Sequence, residues 1–217
     1  MQFRGDVLFL CVEEKRSNNE EKAMRNAKII RKTKETDITV RIELDGEGKS
    51  HVETGIPFMD HMLTLFAKHG LFDLEVSAKG DLEIDCHHTM EDLGLTLGEA
   101  ILSALGDKAG IRRYGHSILP MDESLALTAL DLSGRPYLVY DAGQAGNYIR
   151  ELDTALFKEF FTALSVKSGM NLHIRMLASG ETHHIFEAIF KSFAKSLCQA
   201  VSLDPRVKGV PSTKGSL

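Results

Sequence analysis

Two adjacent histidines, with a glutamate three residues after the second, occur at His87, His88 and Glu91, and again at His183, His184 and Glu187. Imidazoles with carboxylates and no thiolate suit a borderline-to-hard divalent cation. Composition alone gives about 0.03 such matches in a chain with this His and Glu content, so two copies point to metal ligation over core histidines. On a helix, residues i and i+4 share a face while i+1 points about 100° away. His87 and Glu91 can therefore grip one ion, as can His183 and Glu187, with His88 and His184 turned aside. If the two halves face each other about a pseudo-twofold, each averted histidine reaches the other half's ion. One site would hold His87, Glu91 and His184; the other would hold His183, Glu187 and His88. His61, 26 residues before His87, would complete one site, and Glu159, 24 before His183, the other. Glu159 also reads as a solvated helix carboxylate. Three or four protein ligands leave open positions in an octahedral shell, which favours Mn²⁺, with Fe²⁺ or Zn²⁺ as alternatives.

These residues need elements to position them. The segment 27–49 alternates and is β-branched, which predicts two strands turning near Lys34–Asp37 and ending at Asp45-Gly46. Residues 56–70 have helical spacing and stop at Gly70. A strand over 72–81 follows, then a helix with Leu93, Leu97, Ile101 and Leu105 on one face. The order repeats: strands within 116–141 with a turn at Gly134, a helix over 152–169, a strand over 170–178 and a helix over 183–202. The chain therefore reads as an α+β protein built by internal duplication of a β-β-α-β-α unit, with sheets packed against helices. The repeats are assigned to 27–110 and 111–217. Residues 1–26 read as a flexible or locally helical extension, with Met24 an alternative start.

A chain of 217 residues with 43% hydrophobic content reads as a soluble globular protein, and its net charge of −5 argues against nucleic acid or an anionic membrane as the main partner. Three cysteines without a CxxC pair indicate a reducing compartment, and the cytoplasm is the default location. Arg112, Arg113, Arg135, Ser212 and Lys214 are suited to a small phosphate.

The segments KETDITVRIELDG, GIPFMDHML, HGLFDL, HHTMEDLG, DLSGRPYL, HHIFEAIFK and PSTKG, taken together, closely resemble the imidazoleglycerol-phosphate dehydratases of histidine biosynthesis. The resemblance runs from about residue 25 to the end and leaves the first 24 residues outside it; it implies a dehydratase without the preceding phosphatase domain of some bifunctional relatives. It implies a hydro-lyase that converts D-erythro-imidazole glycerol phosphate to imidazole acetol phosphate through a di-metal-bound imidazolate. It further implies two Mn²⁺ per site, ligands shared between subunits, and a large homo-oligomer, a 24-mer in the family. Carried over, His61, His87, His88, Glu91, His183, His184 and Glu187 are metal ligands. Many members have His where this chain has Glu159. Glu35, His69 and Lys191 fall at substrate-contacting positions, Glu35 being the candidate catalytic base. Arg113, Arg135, Ser212 and Lys214 fall chiefly around the phosphate. A dinuclear metal hydrolase and a metal-dependent assembly module are the competing readings.

Overall fold

The computed structural model describes residues 8–11 (backbone only), 25–215 and 217. A short strand, β1 (Leu8–Cys11), runs antiparallel to β2 (Asn26–Lys32). Where the sequence predicts a flexible or locally helical extension over residues 1–26, Leu8–Cys11 form a strand and Asn26 begins β2; residues 1–7 and 12–24 lie outside the described residues. The chain continues through β3 (Thr36–Glu43), β4 (Ser50–Glu53), α1 (Pro57–Gly70), β5 (Asp73–Gly80) and α2 (His87–Leu105). The second half comprises β6 (Tyr114–Met121), β7 (Ser124–Asp131), β8 (Tyr137–Asp141), the small hairpin β9 (Tyr148–Ile149) and β10 (Leu152–Asp153), α3 (Leu156–Ser168), β11 (Asn171–Ala178) and α4 (Thr182–Val201).

The duplication shows in the sheets. The first is ordered β1-β2-β3-β5-β4 and the second β6-β7-β11-β8. In each, a hairpin pairs with the strand that follows the first helix. A short edge strand then lies parallel to that strand, β4 on β5 and β8 on β11. The repeated unit is therefore β-β-β-α-β-α, one strand longer than the sequence suggested. The edge strand β4 has only Val52 partly buried, so it carries no alternation to read. In the second repeat, a turn at Asp122-Glu123 separates β6 from β7, with Asp122 at φ 48°, a left-handed conformation Asp tolerates. The predicted turn at Gly134 then leads into β8.

Alternation explains which faces are buried. Ile38, Val40 and Ile42 point inward from β3, and Ser124, Ala126, Thr128 and Leu130 from β7. The helices cover these faces: α2 packs on β2 and β3, α4 on β6 and β7. They also cross between repeats, α1 lying along α4 and α3 along α2. Pro57 starts α1, where its missing N–H costs nothing. Phe66, Phe157, Phe160, Phe161, Phe186, Phe190 and Phe193 are all essentially fully buried between the helices and sheets. Each contributes roughly 2–3 kcal/mol of burial. A buried ion pair, Arg31 to Asp92 at 2.8 Å, ties β2 to α2.

The contact between α2 and α3 depends on small residues. A Cβ on Gly94 would sit 2.3 Å from the Phe160 carbonyl oxygen and 2.9 Å from the Ala163 Cβ. At an exposed helix position, Gly→Ala is worth about 1 kcal/mol of stability. Here overpacking opposes it by about 1–3 kcal/mol. Gly94→Ala is therefore expected to lower the denaturant midpoint, and a raised midpoint would show that the two helices do not touch at this depth.

Candidate metal centre

Helix α1 delivers His61 and α4 delivers His183 and Glu187, so the crossing of helices between repeats assembles one donor set. His61 Nε2 lies 3.0 Å and His183 Nε2 3.1 Å from Glu187 Oε1. The three are a group that could hold an ion. An ion about 2.1 Å from each ligand in an octahedral shell sets neighbouring ligands about 3.0 Å apart, so this donor set fits a divalent cation. Glu187 is buried, and its other oxygen accepts a hydrogen bond from Lys191. Burial pushes its pKa up, but the bonds from Lys191, His61 and His183 outweigh this and hold it at about 2. Lys191 also reaches Met121 Sδ at 3.2 Å. His69, in the last turn of α1, has its pKa lowered, first by burial and then by the charge of Lys191.

The corresponding residues of the other repeat pairing lie on α2 and α3. His87 Nε2 and Glu91 Oε2 share a face 3.9 Å apart. Glu159 lies part-exposed in the first turn of α3, the helix packed along α2. By the repeat, Glu159 on α3 answers to His61 on α1, but among the described residues it does not join His87 and Glu91 in one donor group.

The averted histidines do not complete these sets within one chain. Among the described residues, His184 does not join His87 and Glu91, nor does His88 join His183 and Glu187. Instead, His184 Nδ1 lies 3.1 Å from both carboxylate oxygens of Glu123. His88 Nδ1 lies 2.9 Å from Asp81 Oδ2. Each bond raises the pKa of its histidine, and the negative charge of Glu35 adds to the effect on His88. That places Glu35, exposed in the β2–β3 turn, in the neighbourhood of His88. Its own amide donates to Thr33 Oγ1 at 3.1 Å. Asp81 and Glu123 were missed in the sequence because each is a single loop carboxylate with no motif around it.

A second cluster lies at the far end of α4. Arg113 donates twice to Asp131, at 2.7 and 3.1 Å, and to the Pro211 carbonyl at 2.9 Å. This uses three of its five N–H donors and fastens the C-terminal tail. The tail turns at Ser212, whose Oγ accepts from the Lys214 amide at 3.2 Å. It ends against Gly134, beside exposed Arg135. Arg113, Arg135, Ser212 and Lys214 are thus strung along one segment. The Arg113 amide donates to the Ala200 carbonyl, 17 residues beyond His183 on α4. At 1.5 Å per residue that is about 25 Å.

Residues 54–197 match the family model for imidazoleglycerol-phosphate dehydratase. The chain belongs to this family. The dehydratase of Lachnoclostridium phytofermentans is 58% identical over 193 residues, covering 89% of this chain and 98% of the relative. That of Acetivibrio thermocellus is 57% identical over 193 residues, covering 89% and 99%. The crystal structure of the Pyrococcus furiosus enzyme in complex with (S)-C348 superposes with a TM-score of 0.74 at 37% identity, covering 87% of this chain and 99% of that one. The chain is thus a hydro-lyase of histidine biosynthesis, a metal-dependent dehydratase. No described helix is long and apolar enough to cross a membrane.

The low pKa of Glu187 has a consequence for acid stability. A carboxylate depressed from 4.5 to about 2 contributes stability fully above about pH 4.5, and loses it as pH falls toward 2. Glu187→Gln is expected to flatten that part of the acid limb in denaturant titrations of metal-stripped protein. An unchanged limb would contradict the bonding described for this carboxylate.

Proposed function

We propose that the chain dehydrates D-erythro-imidazole glycerol phosphate to imidazole acetol phosphate, using two divalent ions per site, with Mn²⁺ preferred over Fe²⁺ or Zn²⁺. The observation that carries this is the convergence of His61, His183 and Glu187 from two repeats onto one point, in a chain of this family. His87, Glu91 and Glu159 form the second set. His88 and His184, directed away from the sets of their own chain, serve those of neighbouring subunits.

The carbon that loses its proton has no adjacent carbonyl, so the substrate's own ring must take up electrons. Two bound divalent ions would supply Lewis acidity at both imidazole nitrogens and stabilise the ring as an imidazolate. Glu35, beside His88, takes the proton from the middle carbon of the glycerol chain. The hydroxyl on the carbon next to the ring leaves with its bonding electrons, and the resulting enol becomes the ketone. Lys191 and His69 line the same region and contact the substrate. Arg113, with two N–H donors in hand, holds the phosphate with Arg135, Ser212 and Lys214 and so orients the chain.

Separation within one chain supports an oligomer with shared sites. Only five bonds, roughly 7 Å, separate the substrate's ring from its phosphorus. Arg113 and His183 of one chain are much too far apart to hold both ends. A closed homo-oligomer, a 24-mer as in the family, would bring the tail of one subunit to the metal centre of another. The free thiols Cys86 and Cys198 agree with a reducing cytoplasm.

The direct test is product formation by purified protein stripped of metal and reloaded with Mn²⁺. Activity only after reloading is expected, with Glu35→Gln lowering turnover by about 10²-fold or more at unchanged metal content. Phosphate release from simple esters would favour a hydrolase instead. Normal turnover in Glu35→Gln would remove that residue as the base.

A further inference from the structure

The two repeats place a glutamate at the same point and use it differently. In the first sheet, Glu43 of β3 pairs with Asp73 of β5; in the second, Asp131 of β7 pairs with Asn171 of β11. Counting back eight residues along β3 and β7 puts Glu35 and Glu123 in register, each one residue before its strand begins. Glu123 bonds the averted histidine of its repeat, His184, while Glu35 reaches His88 only through its charge.

Glu123 is fixed in place. Its Oε1 accepts from the Glu181 amide at 2.7 Å, and both oxygens reach His184 Nδ1. Gly180 leaves room for it, since a Cβ there would sit 2.1 Å from Glu123 Cγ and 2.2 Å from its Oε1. In the first repeat the corresponding bond to His88 Nδ1 comes from Asp81, in the loop after β5. A carboxylate on one imidazole nitrogen fixes the tautomer and ring orientation, and leaves the other nitrogen to coordinate.

We infer that Asp81 and Glu123 are positioning residues that each hold an averted histidine by Nδ1 and commit its Nε2 to a metal ion. We further infer that Asp81, by taking this task in the first repeat, releases Glu35 for proton transfer. Duplication thus yields two like-placed glutamates, of which one orients a ligand and the other reacts. The inference rests on His88 and His184 being ligands, as proposed above.

The test is the Mn²⁺ affinity of the intact full-length assembly, read from the electron paramagnetic resonance signal of free aqueous Mn²⁺. Glu123→Ala and Asp81→Ala are expected to weaken binding 10–100-fold, with His184→Ala and His88→Ala weaker still. Glu123→Gln and Asp81→Asn keep the shape and an oxygen acceptor, so they should fall between the native protein and alanine. A merely structural role would lower thermal stability and leave affinity native in all four, which overturns the inference. Where alanine blocks assembly, native affinity in both amide variants overturns it equally. If His184→Ala and His88→Ala also bind Mn²⁺ natively, the ligand reading falls with it; if only they weaken binding, the positioning role alone is lost.

Discussion

The length of α4 constrains everything else. Its first turn carries His183, His184 and Glu187, and its last turn receives the Arg113 amide, about 25 Å away. A rigid helix clamped between a sheet and α1 cannot bend to bring these ends together. The chemistry proposed for them requires one small molecule to touch both kinds of residue. In the proposed function a second copy of the chain closes that distance, which makes assembly part of the proposed active site.

The same clamping builds the metal centre. Because α1 of the first repeat packs on α4 of the second, His61 joins His183 and Glu187 in one donor group that neither repeat holds alone. Glu187 is the point where His61 and His183 converge: buried, bonded by both, and balanced by Lys191. A buried carboxylate without those partners would cost several kcal/mol. The two repeats are chemically unequal at this point, since α1 carries His61 where α3 carries Glu159.

Much of this was legible in the sequence. The helices were strongly periodic, and the repeated His-His-x-x-Glu motif foretold that His183 shares a face with Glu187 and His87 with Glu91, because i, i+4 spacing is a local property. The α+β duplication was legible as well. The extra edge strand β4 was not, because an exposed strand with one partly buried residue carries no period. The partners of His88 and His184 were not legible either. Asp81 and Glu123 reach them across loops, and only the register of the two sheets shows that Glu123 answers to Glu35. The commitment of Arg113 to Asp131 and Pro211 was hidden for the same reason: its partners lie 18 and 98 residues away. Short-range spacing was readable, whereas contacts set by sheet register and by a folded tail were not.

Subunit mixing tests the central claim most directly. His183→Ala removes a metal ligand, and Arg113→Ala removes a phosphate contact; each variant alone is expected to be nearly inactive. Co-assembled by joint refolding, they should regain a substantial fraction of native turnover, because some sites then draw an intact metal centre and an intact tail from different chains. Turnover no greater than the sum of the separate variants would contradict a site shared between subunits.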